Sequence, residues 1–78
     1  MALYFFDFLD NGVAQPDEVG TDLSSFDAVK REAISALVDV IKEVLPDGSH
    51  RELSFKVRDE KGRQLLQVAM TFHIQIDS

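Results

Sequence analysis

Between Ser25 and Leu45 apolar residues recur at helical spacing, and no other stretch of the chain has room for a long helix. At about 100° per residue, Phe26, Val29, Ala33, Leu37, Val40 and Val44 fall on one stripe. Ile34, Val38, Ile41 and Leu45 form a second stripe beside it. Together they span an arc of roughly 200°, about twice what packing on one sheet face requires. Lys30 interrupts the arc, with a stem suited to apolar surface and a head that stays in water. Arg31, Glu32, Asp39, Lys42 and Glu43 make the opposite, charged face. Ser24 or Ser25 should open the helix, Ser24 and Asp27 approximating a capping box, and Pro46-Asp47-Gly48 should stop it.

Strand-like runs flank this helix. Residues 2–9 are rich in aromatics, with Tyr4, Phe6 and Phe8 on one side and Leu3, Phe5, Asp7 and Leu9 on the other. Both sides are largely apolar, which predicts a strand buried on two faces. Asn11-Gly12 predicts a type I′ turn returning into a short strand, Val13-Ala14-Gln15, that Pro16 ends. Residues 16–24 read as a polar connection. After the helix, Leu53, Phe55 and Val57 alternate with polar residues in 52–58, and Leu66, Val68, Met70, Phe72, Ile74 and Ile76 do so in 65–76. A four-residue loop, 59–62, would pair Phe55 with Leu66 and Leu53 with Val68, keeping both apolar sets on one face, with Gly62 left-handed. The last strand is long enough for its end to bend or project toward a neighbour. The predicted fold is α+β, in the order β-β-α-β-β, an antiparallel sheet with one helix over about 25–45 packed on one face. A single small domain spans 1–78.

A 78-residue chain without cysteine has neither disulfides nor thiolate metal sites to support its core, and its two histidines are far apart. A small core or a partner chain must serve instead. No run approaches the roughly 18–20 apolar residues that span a bilayer, and the start has no signal-peptide pattern. A soluble, cytoplasmic protein that does not engage membranes is the expectation.

The net charge of −6 is unevenly placed. Asp7, Asp10, Asp17, Glu18, Asp22 and Asp27 precede the first Lys or Arg, and from Lys30 onward eight acids balance eight bases. A phosphate-backbone binder needs a basic face, so no nucleic-acid partner is expected. Asp7, Asp10, Asp17 and Glu18 form a candidate acidic patch for a basic protein; a solvated edge accounts for the same charges without one.

Catalytic constellations are hard to assemble. There is no Gly-x-Ser-x-Gly elbow, Walker loop or EF-hand spacing around Asp10-Asn11-Gly12. His50 falls in the turn after the helix and His73 on the polar side of the last strand. A small metal-dependent enzyme would have to use Asp7, Asp10, Asp17 and His50, and no cofactor is expected. Asp7, an acid amid aromatics, reads as an exposed strand-end residue.

Tyr4 and Phe6, the Asp10-Asn11-Gly12 turn, Pro16-Asp17-Glu18-Val19-Gly20, Ala28 through Ala36 and Asp59-Glu60-Lys61-Gly62-Arg63 occur in an order that resembles a bacterial family. Its members are short, uncharacterised alphaproteobacterial proteins of rhizobial type carrying one domain of unknown function. Asp7 stands where that family commonly has histidine. The resemblance implies no activity, cofactor or catalytic residue. Pro16 through Gly20 and the helix from Ser25 are also similar in order to HicB-type antitoxins, which implies a small α+β fold binding a basic toxin.

The leading expectation is a non-enzymatic module that forms a homodimer through surplus apolar faces. The candidate interface is Ile34, Val38, Ile41 and Leu45 on the helix with Tyr4, Phe6 and Phe8 on the first strand. An antitoxin-like or regulatory binder of a basic protein is the alternative.

Overall fold

A computed structural model of the chain describes residues 2–44 and 50–77. The elements are β1 (Ala2–Asp10), β2 (Val13–Gln15), β3 (Thr21–Leu23), α1 (Phe26–Val44), β4 (His50–Arg58) and β5 (Gln64–His73). All strand pairs are antiparallel, in the order β2-β1-β4-β5, with β3 also joined to β1. The fold is α+β as expected, with one strand more than the sequence announced. Leu45 and the Pro46-Asp47-Gly48 stop lie outside the described residues.

Helix and first turn form where the local chemistry places them. Ser25 is the cap, its Oγ accepting from the Ala28 N–H at 3.1 Å and its carbonyl from the Val29 N–H. Asp27 follows in the first turn and pairs with Arg31 one turn on. Asn11 (φ 49°) and Gly12 (φ 85°) both hold the positive φ of the type I′ turn that joins Asp10 to Val13.

Two irregularities in the ladders each add two residues, which keeps every side chain on its own face. Phe8 faces Gln15 but Tyr4 faces Thr21, so residues 16–20 stand against only 5–7 of β1. In the last hairpin Phe55 faces Val68 and Leu53 faces Met70, a correction of two positions to the expected register. The loop is 59–63, one residue longer than expected, and a bulge where Val57 faces Leu66 but Arg58 faces Gln64 supplies the second. Either insertion alone would have turned Phe55 away from Leu66. Gly62 is left-handed, as expected. His50 opens β4 opposite His73 rather than lying in a turn, and β5 ends at His73.

One core lies between sheet and helix. Val29, Ala33 and Val57 are fully buried, with Tyr4, Phe6, Leu23, Leu66 and Val68 packed around them. Leu37, Leu53 and Phe55 continue the core, with Phe6, Phe8, Val40 and Ile41 against them. The Phe8 and Phe55 rings meet tilted, 5.1 Å between centroids. Phe26 leaves this stripe: it is the first helical residue and half exposed.

Candidate interaction surfaces

Strand β1 is half-buried along its length, not sealed on both faces. Its Tyr4, Phe6, Phe8 side is turned into the chain's own core, so those three candidate interface residues pack under the helix. The other side, Leu3 and Phe5, is covered by the insertion at 16–20. A Cβ on Gly20 would stand 3.0 Å from both the Leu3 and Phe5 side chains, and Gly20 has φ +82°, so no other residue fits there without strain.

Asp17 holds that insertion in place. Its Oδ1 accepts from the N–H groups of Val19 (3.0 Å) and Gly20 (3.1 Å), closing the loop on itself. Its Oδ2 accepts from the Phe6 N–H at 3.1 Å, the ladder position that β2 and β3 leave uncovered between them. Burial raises the Asp17 carboxyl, but these three N–H donors outweigh it and hold the pKa below the ordinary value. The Asp17 N–H donates in turn to Asp7 Oδ1 at 2.8 Å.

Asp7 is therefore not the exposed strand-end acid expected. Its side chain is 21% exposed and pairs with Arg58 Nε at 2.9 Å. The same guanidinium donates to the Asp17 carbonyl and lies 4.5 Å from the centre of the Phe5 ring. Asp10 takes Arg51 in a two-pronged pair, Nε to Oδ1 at 2.8 Å and Nη2 to Oδ2 at 2.6 Å. The Arg51 hydrogen bond holds the Asp10 carboxyl below its usual range. Asn11 exchanges hydrogen bonds with the Glu52 backbone, so the Asp10-Asn11-Gly12 turn is bound to β4.

These contacts change the acidic patch. Asp7 and Asp10 are matched by arginines of β4, Asp17 is saturated by backbone donors, and Glu18 alone of the four stands exposed. Sequence reasoning placed the charge correctly along the chain but missed Arg51 and Arg58 as its partners. The signal available was the Asp17–Gly20 spacing, which suits an Asx-type turn. Among the described residues, no group of three or more His, Asp or Glu side chains is placed to hold a metal ion.

The helix flank is different. Ile34 is 52% and Val38 40% exposed, and Ile41 is half-buried against Leu37, Leu53 and Phe55. Leu45, the fourth member of that stripe, lies outside the described residues. Ala28, Glu32 and Ser35 border Leu23 of β3 in a shallow hollow of about 300 Å³. Ile34 and Ile41 stand about 140° round the helix from that side, hence toward β4 and β5. A second hollow, about 510 Å³, lies at the helix start between Tyr4, Phe26 and the Asp59–Arg63 loop. Its charged wall is already engaged: Asp59 accepts from Arg63 Nε and from the N–H groups of Lys61 and Arg63, and these hold its carboxyl below the usual range. No helix among the described residues is long and apolar enough to cross a membrane.

Fold and surfaces together define a small α+β module, one antiparallel sheet under one amphipathic helix. The chain belongs to the DUF6894 family, a domain of unknown function, whose family model matches residues 3–71. No curated protein and no solved structure matches it.

Proposed function

We propose that this protein is a non-enzymatic interaction module of the bacterial cytoplasm that self-associates through the outer flank of its helix. The observation that carries it is the exposure of Ile34 and Val38 at 52% and 40% beside half-buried Ile41. Aliphatic side chains side by side on one helix flank are a surface for another apolar surface. The interface assigned from sequence to Tyr4, Phe6 and Phe8 is absorbed by the core, so the reading rests on the helix flank, to which Leu45 would add. Light scattering after size exclusion tests it. Wild type is expected at twice the chain mass, and the double variant Ile34→Glu, Val38→Glu at the single mass with its fold intact, since both positions are exposed. Wild type eluting as a monomer at every concentration would overturn the reading.

The second reading, an antitoxin-like or regulatory binder of a basic protein, has less charge to work with than the sequence implied. Glu18 and Asp22 are its exposed acids, Asp7 and Asp10 being paired. Its expected mark is co-purification of a small basic protein that is lost on Glu18→Lys, Asp22→Lys. Retention after both changes would remove it.

A further inference from the structure

Among the described residues strand β5 is the last in the sheet, bonded to β4 on one side only. The groups on its open side follow from the ladder. Asn11 N–H donates to the Glu52 carbonyl, so Glu52 turns its backbone toward β1. Bonding alternates along a strand, so Ser54, Lys56 and Arg58 do the same, while Arg51, Leu53, Phe55 and Val57 bond to β5. Their partners Phe72, Met70, Val68 and Leu66 are thereby engaged. Gln67, Ala69 and Thr71, all exposed, aim N–H and C=O outward.

Apart from the bulge at Leu65, near its start, little in the sequence guards this edge. From Gln64 to Ile76 there is no Lys, Arg, Asp, Glu, Pro or Gly, a run bracketed by Arg63 and Asp77. Edges that must stay single carry charges, proline, bulges or a cover. Apolar side chains toward the end of the run are exposed: Met70 44% on the helix-facing side and, beyond the strand, Ile74 36% and Ile76 87%. Met70 stands opposite Leu53, a member of the core cluster that Ile41 packs against, so this apolar side and the helix flank adjoin the same cluster.

We propose that β5 pairs antiparallel with β5 of a second copy about a twofold axis at Met70, joining two sheets into one. This rests on the self-association reading and assigns its site. Three observations select a second copy as occupant. An antiparallel strand is its own complement, so the contact is closed and isologous. Each chain carries −6, and the run from Gln64 to Ile76 is a surface on which two copies meet without like charges opposed. An axis normal to the sheet leaves both helices on one face, so each Ile34–Val38 flank meets the other above the joint.

The register follows from the run itself. Centring the uncharged stretch on its own copy sets Met70 against Met70, Val68 against Phe72 and Leu66 against Ile74. Met70 then occupies a non-hydrogen-bonded pair, with Cα atoms about 4.5 Å apart. That distance lies within reach of a disulfide, and the chain has no other cysteine to compete.

Two variants of the full chain test the assignment. Met70→Cys is expected to cross-link to a covalent dimer on mild oxidation. Ala69→Pro is expected to lower association at least tenfold while keeping its far-UV spectrum, because the Ala69 N–H has no acceptor among the described residues of its own chain and its loss is felt between chains. A wild-type dimer in which Met70→Cys fails to cross-link would overturn the edge pairing and leave self-association standing, whatever the fold of Ala69→Pro. A wild-type monomer would overturn both.

Discussion

The two edges of this sheet are built in opposite ways. One edge is broken into β2 and β3, three residues each, with five residues between them that begin at Pro16 and end at a left-handed Gly20. The ladder position exposed by the break, the Phe6 N–H, is filled by the Asp17 carboxylate. The other edge is one strand of ten residues without a charge, proline or glycine in it. A chain that invests so many residues in closing one edge, and on the other only a bulge at Leu65, distinguishes between them. In the proposed assembly the closed edge would limit association to a pair, since a twofold contact at β5 would leave no second open edge to extend it.

The largest effect expected on breaking this contrast is at Asp17. Asp17→Ala leaves the Phe6, Val19 and Gly20 N–H groups without their acceptor and releases the insertion from Leu3 and Phe5. About 3 kcal/mol of stability should be lost, read from urea unfolding. A loss under about 1 kcal/mol would mean that the insertion holds without it. Gly20→Ala comes next, at about 2 kcal/mol, from a positive φ and from contact with Leu3 and Phe5. Gly62→Ala is its control: the φ is nearly the same, +84°, but nothing stands within 4 Å, so about 1 kcal/mol is expected. Equal losses at the two glycines would show that Leu3 and Phe5 do not press on Gly20.

Acid should act through the closed edge and its neighbour β4, and also through Asp59 in the β4–β5 loop, whose carboxyl is likewise held below its usual range. The Asp10 and Asp17 carboxyls lie below their ordinary value of about 3.9 in the folded chain. The unfolded chain therefore binds protons first as pH falls, and the stabilisation, complete above that value, disappears as pH drops through the folded pKa values. Melting temperature should be flat near neutrality and fall below about pH 4, and Asp17→Asn should flatten that fall. An unchanged slope in Asp17→Asn would assign the acid sensitivity elsewhere. The smallest effect on stability is expected at the open edge: Thr71→Lys should change the unfolding free energy by less than about 0.5 kcal/mol while weakening association.

Much of this fold was legible. Helical spacing located α1 and its core stripe, Asn11-Gly12 located the first turn, and alternation put Leu53, Phe55 and Val57 on the face they share with Leu66 and Val68. What failed was the count across irregularities. The longer loop and the bulge at Leu65 taken together, like the insertion at 16–20, preserve face parity, and parity is all that an alternating pattern records. β3 was missed because three residues, Thr21–Leu23, are too few to display a period. The helix flank was legible as a surplus of apolar arc, whereas the covering of Leu3 and Phe5 was not, because it depends on Asp17 reaching a backbone N–H eleven residues away. The acidic patch misled for a similar reason: the arginines that match Asp7 and Asp10 lie 51 and 41 residues further on.

The most direct test is amide hydrogen exchange at Ala69, followed by NMR in the native protein. That N–H points away from β4 and has no acceptor among the described residues of its own chain, so concentration-dependent protection there has to come from another chain. Exchange at Ala69, with Gln67 and Thr71, should be slow in wild type and speed up on dilution, while the Phe6 N–H stays slow at every concentration. Exchange at Ala69 as fast as at an exposed loop amide, in a sample that light scattering shows to be dimeric, would contradict the pairing of β5 with its copy.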